Sequence, residues 1–279
     1  MGQVLYDFII EKHIKSALEE DIGFGDITTD FLAEETDFLS GHLNSRSGGV
    51  LCGCSVFEKV FRVLCDKIEI KFYFKDGDLI KSGDTIADIS GPARFLLTGE
   101  RTALNYIQRM SGIATETKKY QEAIVDYPAK IVDTRKTTPN FRIFEKYSVK
   151  IGGGLLHRFN LSDCAMVKDN HIQLAGSISK AVEKLRKNLS HAHKIEVECD
   201  TLKQVQEALD CKVDIIMLDN MSLDEMKRAC DLINKKAIVE ASGNVSLERI
   251  REIAATGVDI ISSSAIVAKA PTLDLALDV

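Results

Sequence analysis

The sequence predicts an α/β protein in two parts: an N-terminal α+β region with an antiparallel sheet, then a (β/α) barrel, complete or open. Three observations carry this. The segment IEIKFYF (68–74) alternates apolar and polar residues, the period of a half-buried strand. From residue 129 the rhythm changes, and six apolar β-type runs follow: KIVDT (130–134), AMVKD (165–169), KIEVEC (194–199), DIIMLD (214–219), AIVEA (237–241) and DIIS (259–262). Stretches of helical period lie between them, and a long strand–helix series of this kind favours a barrel over a doubly wound sheet.

Taken in order, residues 1–20 carry an apolar stripe at Phe8, Ile9, Ile14, Ala17 and Leu18, which predicts a helix. A loop with Gly23 and Gly25 covers 20–30. Strands are expected over 40–52 and 67–90, the second broken by Gly-Asp turns. GERTALNYIQRMSGIATETKKYQEAIV reads as helix from Gly99 to about Val125, with a break near Ser111-Gly112. SISKAVEKLRKNL, TLKQVQEALDC, SLDEMKRACDLINKK and SLERIREIAATG are the barrel helices, and those starting at Thr201, Ser222 and Ser246 open on a capping residue.

The net charge of −6 argues against general nucleic-acid binding. No apolar run reaches the ~18 residues of a membrane span. The N-terminus reads as an amphipathic helix rather than a signal peptide, and MGQVLY lacks the Ser/Thr of a myristoylation site. Seven scattered cysteines form no zinc pattern, Cys52 and Cys54 being the only close pair. They read as free thiols of a reducing cytosol, so the expected location is cytoplasmic.

In a barrel the chemistry sits at the C-terminal ends of the strands. Those ends carry Asp133-Arg135-Lys136, Lys168-Asp169-Asn170-His171, Glu196 and Glu198, Asp219-Asn220, Glu240-Ser242-Gly243, and Ser262-Ser263-Ser264. All six are polar or charged. GGGLLHRF (152–159) adds His157 and Arg158 behind three glycines. Arg135, Lys136 and Lys168 with this loop imply a heavily anionic ligand or two anions. Glu198 and Asp219 suit sugar hydroxyls, Mg²⁺ or a developing cation. The small residues of EASGN and SSSA suit a phosphate.

GERTALNYIQRMSGIAT, DTRKTTP, EKYSVKIGGG..HR, VKDNHI, EVE, LDNM, EASG and GVDIIS, in this order, closely resemble the quinolinate phosphoribosyltransferase family over nearly the whole chain. The resemblance implies a type II phosphoribosyltransferase-like fold: an N-terminal α/β sandwich domain (1–107), rejoined by a C-terminal tail (266–279), packed on an open (β/α) barrel (108–265). It implies phosphoribosyl transfer from 5-phosphoribosyl-1-pyrophosphate (PRPP) to quinolinate with loss of CO₂, giving nicotinate mononucleotide for NAD synthesis. It also implies at least a homodimer whose active site lies at the subunit interface. By the same resemblance Arg135, His157 and Arg158 hold the dicarboxylate, with Arg101 reaching in from the partner. Lys136 and Lys168 neutralise the anions. Lys136, Glu198 and Asp219 are the catalytic set, and the two acids also meet the ribose and Mg²⁺. Ser242, Gly243 and the turn of Ser263, Ser264 and Ala265 cradle the 5′-phosphate.

Leu156, Asn160, Asn244, Ser264 and Ala268 depart from the usual pattern, and such changes could mark a relative acting on another aromatic acid, of the molybdenum-transport-associated type. A Schiff-base aldolase using Lys136 or Lys168 is a competing class. A biotinyl- or lipoyl-type carrier, from DGDLIKSGDTIADI, is another, but it lacks the Met-Lys-Met setting. His171 reads as hydrogen-bonded within its loop, and His13, His42, His191 and His193 as surface residues. Asp26, Thr28 and Thr29 read as shaping the N-terminal loop, and Arg142 and Lys146 as orienting the cationic one.

Overall fold

The computed structural model describes residues 5–279, so the first four residues of the predicted N-terminal helix, and most of the MGQVLY segment, lie outside the described residues. The chain forms two compact units, one of residues 1–118, 143–153 and 270–279, the other of 119–142 and 154–269.

The first unit is built on a four-stranded antiparallel sheet. Phe38–Ser45 pairs with Thr85–Pro92 on one side and with the C-terminal strand Leu275–Asp278 on the other, and Glu69–Phe72 completes the sheet. Residues 79–80 pair separately with 49–50. Helices Asp7–Ile22 and Cys54–Leu64 pack together, burying Ile10, Ile14, Leu18, Phe57 and Phe61. Aliphatic and aromatic side chains of this size each contribute about 1.5–3 kcal/mol when buried.

Ala93–Ala123 is one unbroken helix of 31 residues, where the sequence predicts a break at Ser111-Gly112. The glycine has a different cause. A Cβ at Gly112 would lie 1.9 Å from the carbonyl oxygen of Pro271, so the position must be bare to let the C-terminal tail cross the helix. Ser111 is buried, and its hydroxyl both donates to the carbonyl of Cys52 and accepts its N–H. His13, expected at the surface, is half-buried: it lies 2.6 Å from the Tyr106 hydroxyl and edge-on to Phe144. Asp26 does shape its loop, accepting the N–H groups of Thr28 and Thr29 and the Thr98 hydroxyl.

The second unit holds six parallel strands in the order Lys130–Val132, Ile260–Ser262, Ile238–Ser242, Ile215–Asp219, Lys194–Cys199, Cys164–Val167. Every strand neighbours its sequential successor except across one seam. There Leu155 makes an isolated bridge to Val132. The barrel is therefore open between Lys130–Val132 and Cys164–Val167. Outward residues such as Ile216, Leu218, Val239 and Ala241 are buried, as are Val205, Ala208, Met226 and Ala229 on the helices.

Thr201 and Ser222 close capping boxes with Gln204 and Glu225, as their positions predict. Ser246 does not cap a helix. Its carbonyl accepts the N–H groups of Arg249 and Ile250 in a preceding turn, and the helix runs only from Ile250 to Ala255. All seven cysteines are free thiols, and burial pushes Cys164 and Cys230 up to about 11. No described helix is long and apolar enough to cross a membrane.

Candidate active site

Side chains two apart on a strand share a face. In the barrel this puts Glu196 and Glu198 on one inward line, Met217 and Asp219 on the next, and Glu240 and Ser242 on the third. The register sets Ser242 beside Asp219, and both Glu198 and Glu240 beside Met217. By this register Asp219 and Ser242 form the upper level, Glu198, Met217 and Glu240 the next, and Glu196, opposite Ile215, the one below.

A cavity of about 680 Å³ opens above these levels. Of the residues singled out from the sequence, Arg135, Lys136, His157, Arg158, Lys168, Glu198, Asp219, Ser242 and Gly243 all line it. Arg101 does not; it is exposed on the long helix of the first unit. Ser263, Ser264 and Ala265 do not line it either, and Ser262 stands in that place. The Ser263 N–H is already given to the Val132 carbonyl, and the Ser263 hydroxyl accepts the N–H of Ala265. These bonds hold the turn of residues 263–265 against the end of strand Lys130–Val132.

The cations gather on one side. Burial and the neighbouring charges of Arg158 and Arg142 lower the proton affinity of the Arg135 guanidinium. Arg142 is a clamp: it donates to Thr137 Oγ1 at 3.0 Å and to the carbonyls of Phe159 (3.1 Å) and Arg135 (3.4 Å), tying the two cationic loops together. Buried Asp133 accepts the N–H of His157 at 2.8 Å, which fixes the HR loop to the end of strand Lys130–Val132. Arg158 donates to the Cys164 carbonyl at 2.8 Å.

The acids sit opposite. Lys168 is ion-paired with Glu198. Asn220 donates through its amide to Asp219 Oδ2 at 2.8 Å and through its N–H to the Ser242 carbonyl. Gly243 has φ of 87°, and a Cβ there would lie 2.2 Å from Asn220 Oδ1. The LDN and ASG loops interlock only because this residue is glycine. His171 accepts the Lys168 N–H at 3.0 Å, a bond within its loop.

Beneath the cations lies a group that the sequence shows only as charged positions. His157 Nε2 is 3.4 Å from Glu196 Oε2 and 3.5 Å from Glu240 Oε1, and both acids are buried. Burial opposes charge on the ring, yet the two carboxylates outweigh it and push the imidazole up to about 10. At Nδ1 the ring accepts the N–H of Arg158 at 2.7 Å. Burial raises the Glu196 carboxyl as well, so ring and carboxylates compete for the proton that the cluster attracts.

Residues 26–111 match the N-terminal domain of quinolinate phosphoribosyl transferase, and residues 113–278 match its C-terminal domain. The chain belongs to the quinolinate phosphoribosyl transferase family. It is 45% identical over 274 residues to a probable nicotinate-nucleotide pyrophosphorylase [carboxylating] of Synechocystis, covering 97% of this chain and 92% of that one. It is 39% identical to the protein of the same description in Bacillus subtilis, covering 97% and 93%. The crystal structure of NadC from Streptococcus pyogenes superposes with a TM-score of 0.96 at 41% identity, over 100% and 98% of the two chains.

Two departures from the usual pattern of this family have physical explanations. Asn244 stands at φ of 50°, a left-handed position where glycine is natural and Asn among the best-tolerated alternatives. Ser264 has φ of −76°, which any residue adopts, so no glycine is needed. Nothing in the structure explains Ala268. Asn220, Asn244, Thr134, Met166, Met217 and Ser262 also line the cavity. For the inward residues among them the available signal was the two-residue period of the strands.

Proposed function

We propose that this chain transfers the phosphoribosyl group of PRPP to quinolinate, with loss of CO₂, to give nicotinate mononucleotide for NAD synthesis. The observation that carries this reading is the lining of the cavity, where Arg135, Lys136 and Arg158 share one space with Asp219 and with the Lys168–Glu198 ion pair. A planar dicarboxylate and a diphosphate need the cations, and a sugar carbon that becomes positive needs the acids.

Arg135 and Arg158 offer guanidinium forks to the adjacent carboxylates of quinolinate. Lys136 and Lys168 neutralise carboxylate and pyrophosphate. The C1–O bond breaks with its electron pair leaving on pyrophosphate, and the ring nitrogen's lone pair forms the C1–N bond. Glu198 and Asp219 lie where they stabilise the positive charge that develops between these events, and Asn220 keeps the Asp219 carboxylate turned to the cavity. The C2–carboxylate bond then breaks, its electrons drawn by the pyridinium, and C2 takes a proton. Ser242, Gly243 and Asn244, with Ser262 beside them, form the small-residue wall against which the 5′-phosphate fits.

Glu198 and Asp219 are hard oxygen donors and would hold a Mg²⁺. Such an ion would supply charge neutralisation to the leaving pyrophosphate.

The protein is proposed to act as a homodimer. Phe24, Ile27, Phe31, Leu32 and Phe38 are exposed, and Arg94, Thr98 and Ala93 tie this segment to the start of the long helix through Asp30, Asp26 and Asp37. Leu97 and Arg101 lie one turn apart on that helix. A partner copy covering this apolar surface would bury it and take Arg101 towards its own cavity. The free thiols fit a reducing, cytoplasmic location.

The test is incubation with PRPP, Mg²⁺ and quinolinate labelled at the 2-carboxylate, with nicotinate in parallel. Labelled CO₂ and nicotinate mononucleotide from quinolinate alone are expected. Turnover of nicotinate, or none of quinolinate in protein that binds PRPP, would overturn the acceptor assignment.

A further inference from the structure

A methionine thioether is a weak hydrogen-bond acceptor and a target of peroxide wherever it is accessible. The chain has six methionines. Met110, Met217, Met221 and Met226 are each at most 5% exposed, and Met1 lies outside the described residues. Among the described methionines, Met166 alone is not buried. It stands on strand Cys164–Val167, two residues before Lys168, and lines the cavity. Its Sδ is 3.6 Å from Arg158 Nη2, while Arg158 Nη1 donates to the Cys164 carbonyl at 2.8 Å. The guanidinium that offers its fork to quinolinate therefore rests against the one described thioether that is accessible.

We propose that Met166 is a reversible oxidation site: peroxide converts its thioether to the sulfoxide, and the new oxygen takes the Arg158 Nη2–H, so that the guanidinium is withdrawn from the dicarboxylate. A sulfur lone pair attacks one oxygen of hydrogen peroxide, and the O–O bond breaks. The sulfur keeps that oxygen as S=O and is oxidised by two electrons. The proton of that oxygen passes to the departing hydroxide, which leaves as water. Reversal takes a dithiol-dependent methionine sulfoxide reductase, which removes the oxygen as water while two thiols become a disulfide. The consequence for catalysis rests on the quinolinate reading, whereas the modification is a property of the free protein.

Three features support it. The donor is already in place beside the sulfur, so oxidation strengthens an existing contact: a weak acceptor becomes a strong one facing a charged donor. The cavity, of about 680 Å³, is large enough for substrates and so admits peroxide. The competing sulfur atoms are less reactive. Burial holds the thiols of Cys52, Cys54, Cys164, Cys199 and Cys230 above their ordinary range, which leaves little of the reactive thiolate, and a thioether needs no ionisation to react. Met217, the other sulfur of the cavity wall, is only 5% exposed.

The experiment treats the full chain with hydrogen peroxide and then with dithiothreitol, which returns reversibly oxidised cysteines to thiols. Met166→Leu is handled alike, and each protein is referred to its own untreated kinetics. Peptide mass mapping should find one added oxygen at Met166 before Met110, Met217, Met221 or Met226. The side-chain nitrogen NMR signals of Arg158 should shift on oxidation with no substrate present. The KM for quinolinate should rise at least about fivefold with the KM for PRPP unchanged, as for a charged group drawn about an ångström from its place. Methionine sulfoxide reductase should reverse both changes, and treated Met166→Leu should show neither. Oxygen appearing first at one of the other four methionines would overturn the proposal. So would unmoved Arg158 signals, an unchanged quinolinate KM in protein oxidised at Met166, or the same rise in KM in treated Met166→Leu. If that variant does not fold, the mapping, the Arg158 signals and the reductase reversal decide. Wild-type protein that turns over no quinolinate would overturn the functional reading instead, while the mapping and the Arg158 signals would still decide the modification.

Discussion

Arg135 is exposed in the free chain and has no carboxylate partner of its own among the ion pairs described. An anionic ligand would supply one and cover both. Arg135→Ala is therefore expected to weaken quinolinate binding by on the order of 2–5 kcal/mol, read by calorimetry; an unchanged affinity would remove Arg135 from the site. Glu196 gives a pH-dependent expectation. Burial raises its carboxyl above the ordinary 4.5, so the folded state holds this proton more tightly than the unfolded chain. The stability it contributes is complete below 4.5 and is lost as pH rises through the raised value. Glu196→Gln should thus flatten the fall of stability above pH 4.5. Denaturant titrations of variant and wild type across that range would show it, and parallel curves would contradict it.

Two glycines act at the scale of elements, and neither does so as a flexible hinge. Gly243 lets the loop after Ile238–Ser242 press against Asn220. Gly243→Ala should lower kcat more than thermal stability, because the displaced Asn220 amide is the group that orients Asp219. An equal loss of both would mean that the contact is only packing. Gly112 lets Pro271 cross the long helix, and Gly112→Ala should destabilise the first unit by about 1–3 kcal/mol, the usual cost of overpacking, measured by urea unfolding. A neutral result would mean that the tail is free to move away. The sequence marks both positions as glycine, but a glycine inside a helical pattern signals a break and a close crossing equally. Only the path of residues 270–279 separates the two.

For the whole molecule, Arg101 is the decisive residue. It is exposed beside an apolar surface and absent from the cavity of its own chain. Mixing inactive Arg101→Ala with inactive Lys136→Ala should restore partial activity, because a mixed dimer would contain one site with both native residues. A mixture that stays inactive despite proven subunit exchange would argue for a site completed within one chain.

Much of the protein is local in character, and local features are legible. The six barrel strands, the helices capped by Thr201 and Ser222, and the polar strand ends follow from apolar period and end chemistry, which neighbouring residues set among themselves. The return of the C-terminal tail to the first domain was implied by the family resemblance, and that it returns as the strand Leu275–Asp278 is seen only in the structure. What the tertiary structure alone decided depends on distance between segments far apart in sequence. It closed the 263–265 turn on Val132, half-buried His13 beside Tyr106, and kept the long helix unbroken where Gly112 meets Pro271. It also brought His157 to 3.4 Å from Glu196 and 3.5 Å from Glu240. Each strand carries its own inward glutamate, but the loop that carries the imidazole to both lies far from them in sequence and meets them only once the barrel has formed.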